Sequence, residues 1–195
     1  MDIILASASP RRKEILQNVN LKFKIETSDV DEQILENEQP ISLVLRLALE
    51  KGMSISNKYP QALVISADTV VSEGGQILGK PKDEHEAKEM LSRLSGKTHQ
   101  VITGISLIHS SNSKKIIDYV VSDVKFKQLS QDDIQNYINT NESLDKAGAY
   151  GIQGYGAVLV EEIKGDYFNI VGLPISKLSD LLKMHFDINV FTEGD

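Results

Sequence analysis

The 195-residue sequence has no cysteine. That excludes disulfides and thiolate metal sites and agrees with a reducing compartment. No run approaches the roughly 18 apolar residues that a membrane-crossing helix needs. The apolar run after Met1-Asp2 is too short for a signal peptide. A soluble, cytoplasmic protein without a membrane partner is therefore expected. Basic residues are outnumbered: 21 Lys and Arg stand against 28 Asp and Glu, for a net charge of −7. A nucleic-acid scaffold usually shows the opposite balance, so no nucleic-acid polymer is expected as partner. An acidic chain that binds an anion must do so in a local basic pocket, helped by a divalent cation. Aromatic residues are scattered singly, so no base-stacking platform is evident. His85, His99, His109 and His185 show no ligand or triad spacing and read as surface or strand residues. No repeat, low-complexity tract or linker appears. With 41% hydrophobic residues, the chain has ample core for a single domain over 1–195, or two joined lobes around a cleft.

What is present is concentrated at the start. Ile3-Ile4-Leu5-Ala6 reads as a buried strand leading into Ser7-Ala8-Ser9-Pro10-Arg11-Arg12. Ser9 suits an N-cap, and Pro10 suits the first helical position, where its missing N–H costs nothing. Free N–H groups and a positive dipole end point out of such a helix start. Two serines and two arginines share the place, which favours a polyanion such as phosphate.

Apolar runs suited to strands then alternate with helical patterns. Phe23 to Thr27, Ala62 to Ser72, Val101 to His109, Ile116 to Phe126 and Ala157 to Ile163 read as strands. Helices are expected after Pro40, Asp83, Ser130 and Pro174, with Gly96 stopping the second of these. The expected fold is α/β: a mixed, long twisted sheet flanked by helices, with a central cleft.

Several residues could carry chemistry. Asp68 lies inside the most apolar strand, where a carboxylate is costly unless paired, hydrogen-bonded or metal-bound. It reads as a metal ligand or a general base, and the two roles do not exclude each other. Glu32, in an acidic loop, reads alone as a solvated charge and gains weight only as a second oxygen ligand for Mg²⁺. Gly79-Lys80-Pro81 holds a lysine in a fixed direction on a stiff turn. Lys51 sits near a helix end. Both lysines read alone as solvated. Ala147 to Gly156 has four glycines and can bring backbone against a ligand, though it matches no Walker or dinucleotide pattern. Within it, the Gln153 amide can pair with a nucleobase edge.

Taken together, Leu5-Ala6-Ser7-Ala8-Ser9-Pro10-Arg11-Arg12-Lys13-Glu14, Asp31-Glu32, Ala67-Asp68-Thr69, Gly79-Lys80-Pro81, Ala147 to Gly154 and Gly172-Leu173-Pro174 resemble the Maf family, the septum-formation-inhibitor Maf-like nucleotide pyrophosphatases. The pieces follow the family's order and cover nearly the whole chain. The resemblance implies a fold shared with inosine-triphosphate pyrophosphatases, a homodimer and a divalent metal, Mg²⁺ or else Mn²⁺ or Co²⁺. It implies hydrolysis of a nucleoside triphosphate to the monophosphate and pyrophosphate. Arg12, Thr69 and Gln153 match the signature of the dTTP/UTP-cleaving branch, and Asp68 would be the proton acceptor. On this reading Ser7, Ser9, Arg11 and Arg12 cradle the triphosphate while Lys51 and Lys80 add charge. Glu32 and Asp68 hold or serve the metal. Base choice needs the Gln153 amide locked by its neighbours, such as the glycine-rich backbone. Two rival readings are a nucleotidyltransferase and a non-enzymatic regulator of cell division.

Overall fold

The computed structural model describes residues 1–192. Its strands are β1 (Ile3–Ala6), β2 (Lys24–Glu26), β3 (Leu63–Glu73), β4 (Gln76–Leu78), β5 (Thr98–His109), β6 (Lys114–Phe126) and β7 (Val160–Lys164). Its helices are α1 (Pro10–Asn18), α2 (Pro40–Ser56), α3 (Glu84–Leu94), α4 (Gln131–Ile138), α5 (Tyr167–Val171) and α6 (Ile175–Phe186). One sheet runs in the order β2-β1-β3-β5-β6-β7, with β4 added beside β3. β1 is parallel to both β2 and β3, and all other pairs are antiparallel. The mixed α/β sheet with flanking helices is the architecture the sequence implies.

The two faces of the sheet are covered unequally. On one side, Leu5, Ile65, Ala67, Val71, Ile105 and Leu107 join the main core with residues of α1, α3, α4 and α6. On the other, α2 lies over Val70 and Ile102, packing through Leu43, Val44 and Leu47. Alternation along β3 sends even-numbered side chains toward α2 and odd-numbered ones to the main core. α2 lies very close to the sheet. A Cβ on Gly104 would stand 2.4 Å from the main-chain oxygen of Val44, so only glycine fits there. Ser66 and Ser106 hydroxyls reach across to the Ala48 carbonyl at 2.6 and 3.1 Å.

Local capping follows the sequence. Ser9 accepts from the Arg12 N–H, Asp83 from Glu86, and Ser130 forms a capping box with Asp133. Two segments differ from expectation. Residues Gly154–Leu159 form a 3₁₀ turn, so the strand expected from Ala157 starts only at Val160. The short helix α5, capped by Asp166, was not expected; five residues are too few to display a helical period. Among the described residues, no helix is long and apolar enough to cross a membrane.

Candidate active site

The site lies where the sheet is incomplete. β5 covers one edge of β3 from Val64 to Ser72. β1 pairs with the other edge at 63–65 and β4 at 71–73. Between them, residues 66–70 have no strand beside them on that edge. A cleft of about 670 Å³ opens against this gap, a size suited to a nucleotide-scale ligand. It also meets the carboxyl end of β1, where the chain turns into α1. Ser7, Ser9, Arg11, Arg12, Glu32, Lys51, Asp68, Thr69, Lys80 and Gln153 all line it.

Because Asp68 and Thr69 are consecutive in a strand, they face opposite sides of the sheet. Asp68 points toward α2 and is 7% exposed. Lys51, one turn before the end of α2, places its Nζ 2.6 Å from Asp68 Oδ1 and 2.6 Å from Glu32 Oε1. Lys80 Nζ lies 3.7 Å from Glu32 Oε2. Lys51 is thus not a solvated lysine: it is buried, and two of its three donors are committed to carboxylates. Asp68 Oδ2 has no protein partner among the described residues. Burial pushes the Asp68 carboxyl above the usual Asp range; Lys51 and Arg12 oppose the rise and Glu32 adds to it. At Glu32, burial also raises, but the hydrogen bond and charge of Lys51, with Lys80 and Arg12, hold the carboxyl below its ordinary value. The loop carrying Glu32 is clasped to α2 by Arg46, whose Nε and Nη2 reach the two Glu38 carboxylate oxygens at 2.7 Å each and whose Nη2 also reaches Gln33 O at 2.9 Å. Nothing in the sequence pattern singles out Arg46.

Two carboxylates that close on one ammonium also suit a hard divalent cation. No group of three or more His, Cys, Asp or Glu side chains gathers among the described residues. Asp68 and Glu32 would therefore supply the protein oxygens, and phosphate and water the remainder, which is how Mg²⁺ is commonly held. The residues fit such an ion.

On the other face, Arg12 is a clasp. Its Nε donates to Gly172 O at 2.8 Å, Nη1 to Ser7 Oγ at 3.3 Å and Nη2 to Thr69 Oγ1 at 3.1 Å. It joins the turn after β1, strand β3 and the end of α5. Three of its five N–H groups are used, so its capacity for phosphate is smaller than a free guanidinium's. Burial lowers its pKa, against the charge of Asp68, yet an arginine stays charged at any ordinary pH. Ser7 Oγ also accepts from the Ser9 N–H at 3.2 Å, and Ser9 Oγ from the Arg12 N–H at 3.5 Å. Both hydroxyls serve the protein as acceptors, which leaves their protons for an anion. Arg11 reaches Asp145 at 3.6 Å across the cleft mouth.

The glycine-rich segment closes the far wall. Gly148, at φ +67°, would bring a Cβ within 3.0 Å of Val71, so a side chain there would lift the loop off β3. The Gly148 N–H donates to Gly79 O at 3.0 Å, tying the loop to the Lys80 turn. Behind it, Tyr150 Oη lies 2.7 Å from Nε2 of the buried His99. His99 is thus a core histidine that braces the cleft wall. Gln153 is exposed, and its amide has no protein partner among the described residues. The expected lock by neighbouring groups is absent from these residues.

A family description, Maf-like protein, matches residues 2–185. The chain belongs to the Maf family. Two relatives show how far the likeness reaches. A protein of Clostridioides difficile (strain 630) named dTTP/UTP pyrophosphatase is 66% identical over 191 residues, 98% of each chain. A protein of Alkaliphilus metalliredigens (strain QYMF) with the same name is 50% identical over 189 residues, covering 96% of this chain and 98% of its own. Among solved structures, a HAM1 protein from Coxiella burnetii aligns with 82% of this chain and 80% of its own at TM-score 0.49 and 13% identity. That likeness is too remote to bear on the site.

Proposed function

We propose that this Maf protein hydrolyses dTTP and UTP to the nucleoside monophosphate and pyrophosphate, by attack of water on the α-phosphorus. The observation that carries the reading is the buried Asp68, held by a Lys51 that also binds Glu32, in the same cleft as the Ser7–Arg12 turn. A basic, hydroxyl-rich helix start and a buried base flank one space, which is what in-line phosphoryl chemistry requires. The pyrimidine preference draws on the names of the relatives and on Arg12, Thr69 and Gln153.

In this reading the Arg11 N–H in the first turn of α1, the Ser7 and Ser9 hydroxyls and the side chains of Arg11 and Lys80 hold the triphosphate. Arg12 fixes the turn and offers its remaining donors. Asp68 accepts the proton of the attacking water through its free oxygen. Lys51 orients that carboxylate. A bound divalent ion, Mg²⁺ best and Mn²⁺ or Co²⁺ as substitutes, would be held by Asp68 and Glu32 and would neutralise phosphate charge. The water oxygen ends on the α-phosphate, and pyrophosphate leaves. A homodimer, implied by the family resemblance, and a cytoplasmic setting, expected from the composition, belong to the same proposal.

The test is a screen of the common nucleoside triphosphates with Mg²⁺, reading pyrophosphate and monophosphate separately. Equimolar products with dTTP and UTP in the lead are expected. Inorganic phosphate as the product, or a purine nucleotide in the lead, contradicts the reading.

A further inference from the structure

Two cleft side chains could read the hydrogen-bonding edge of a pyrimidine, and they differ in one respect. The Gln153 amide, exposed and unpartnered among the described residues, can turn over and serve either edge. The Thr69 hydroxyl cannot. Arg12 Nη2, 3.1 Å from Thr69 Oγ1, can only donate to it. Thr103 Oγ1 lies 2.9 Å from Thr69 Oγ1 and 2.9 Å from the main-chain oxygen of Asn169. A carbonyl oxygen can only accept, so the single Thr103 proton goes to Asn169. Thr69 must then give its own proton to Thr103. The chain of bonds runs one way, from Arg12 through Thr69 and Thr103 to the Asn169 carbonyl. Asn169 is itself fixed: it is fully buried, and its Nδ2 donates to Val101 O and Ser122 Oγ at 2.9 Å each.

What Thr69 has left for the cleft is a lone pair and no proton. Phosphate oxygens are acceptors, so they gain nothing from it. A donor N–H does. Uracil and thymine carry N3–H; cytosine carries a bare N3 at the same place. We infer that Thr103, a residue outside the cleft wall, sets the pyrimidine preference by holding the Thr69 hydroxyl as an acceptor for N3–H. Thr103 acts as a positioning residue. This inference rests on the pyrimidine-nucleotide reading above. The Asn169 carbonyl also accepts from Gly172 N at 3.1 Å, so it stays bonded when Thr103 is replaced.

The experiment compares kcat/KM for UTP and CTP in the wild type, Thr103→Val and Thr103→Ser, with calorimetric binding of the α,β-imido analogues of both nucleotides. Valine keeps the shape and removes the acceptor, freeing the Thr69 proton to turn into the cleft. The expected result is a fall in the UTP:CTP ratio of about tenfold or more in Thr103→Val, in turnover and in binding, with the ratio restored in Thr103→Ser. Thr69→Val, which removes the acceptor from the cleft side, should lower the same ratio. If Thr103→Val loses both nucleotides by one factor, or none, its role is only structural and the inference falls. A wild type that shows no preference for UTP over CTP overturns the pyrimidine reading and this inference with it, an outcome visible before any variant is made.

Discussion

Asp68 and Lys51 are 17 positions apart, and neither would be stable alone where it sits. A buried carboxylate needs a partner, and removing one member of such a pair costs far more than the pair contributes. The pair keeps a charged base in an apolar strand. Asp68→Asn preserves shape and removes the charge. Turnover should fall about 10²–10⁴-fold, while Glu32 still pairs with Lys51 and the protein stays folded. Retention of more than about a tenth of wild-type turnover would remove Asp68 from the proton-accepting role. Arg12→Lys belongs at the same scale. An ammonium cannot span Gly172 O, Ser7 Oγ and Thr69 Oγ1 together. The variant should lose about 2 kcal/mol of stability in urea titrations as well as activity. An activity loss at full stability would mean that Arg12 serves the ligand and not the clasp.

At the scale of elements, the position of α2 decides whether Lys51 can meet Asp68. Gly104 allows the contact, because its missing side chain leaves room for the Val44 carbonyl. Gly104→Ala should push α2 off β5, cost about 1–3 kcal/mol as overpacking does, and lower kcat by moving Lys51 from Asp68. A Gly104→Ala protein with wild-type stability and turnover would show that α2 adjusts freely. Such close contacts were hidden in the sequence. The strand–turn–helix at the start was legible because Ser9 and Pro10 are local signals, and Asp83 and Ser130 announced their helices for the same reason. Asp68 stood out because a carboxylate in an apolar run is conspicuous. The burial of Lys51 was not legible, since helical position alone does not say which strand a helix covers. Nor was the gap between β1 and β4 along β3, a property of pairing rather than of either strand. The Thr69–Thr103–Asn169 chain joins residues from two strands and a helix too short to show a period. Gln153 was legible as a cleft residue, but its lack of a partner was not.

Across the whole molecule, the main core on one face and α2 on the other leave the cleft at the gap beside β3, with Tyr150 and His99 bracing its wall. His99 links that wall to global stability. Burial pulls its pKa down to about 4, with the Glu73 charge opposing, while in the unfolded chain it titrates near 6.5. The contribution is complete above about pH 6.5. Between there and pH 4 the unfolded state binds the proton and the folded state does not, so stability falls as pH drops, by about 3 kcal/mol in all. Urea titrations at pH 7 and pH 4.5 should show the wild type losing about 2 kcal/mol more than His99→Gln. Equal losses would mean that His99 takes up its proton without unfolding the wall.

The central claim is that water attacks the α-phosphorus in this cleft. Hydrolysis of UTP in ¹⁸O-labelled water, followed by mass spectrometry of both products, tests it directly. The expected result is one ¹⁸O in UMP and none in pyrophosphate, with the labelled UMP lost in Asp68→Asn. Label in pyrophosphate, or release of UDP and labelled inorganic phosphate, would contradict it.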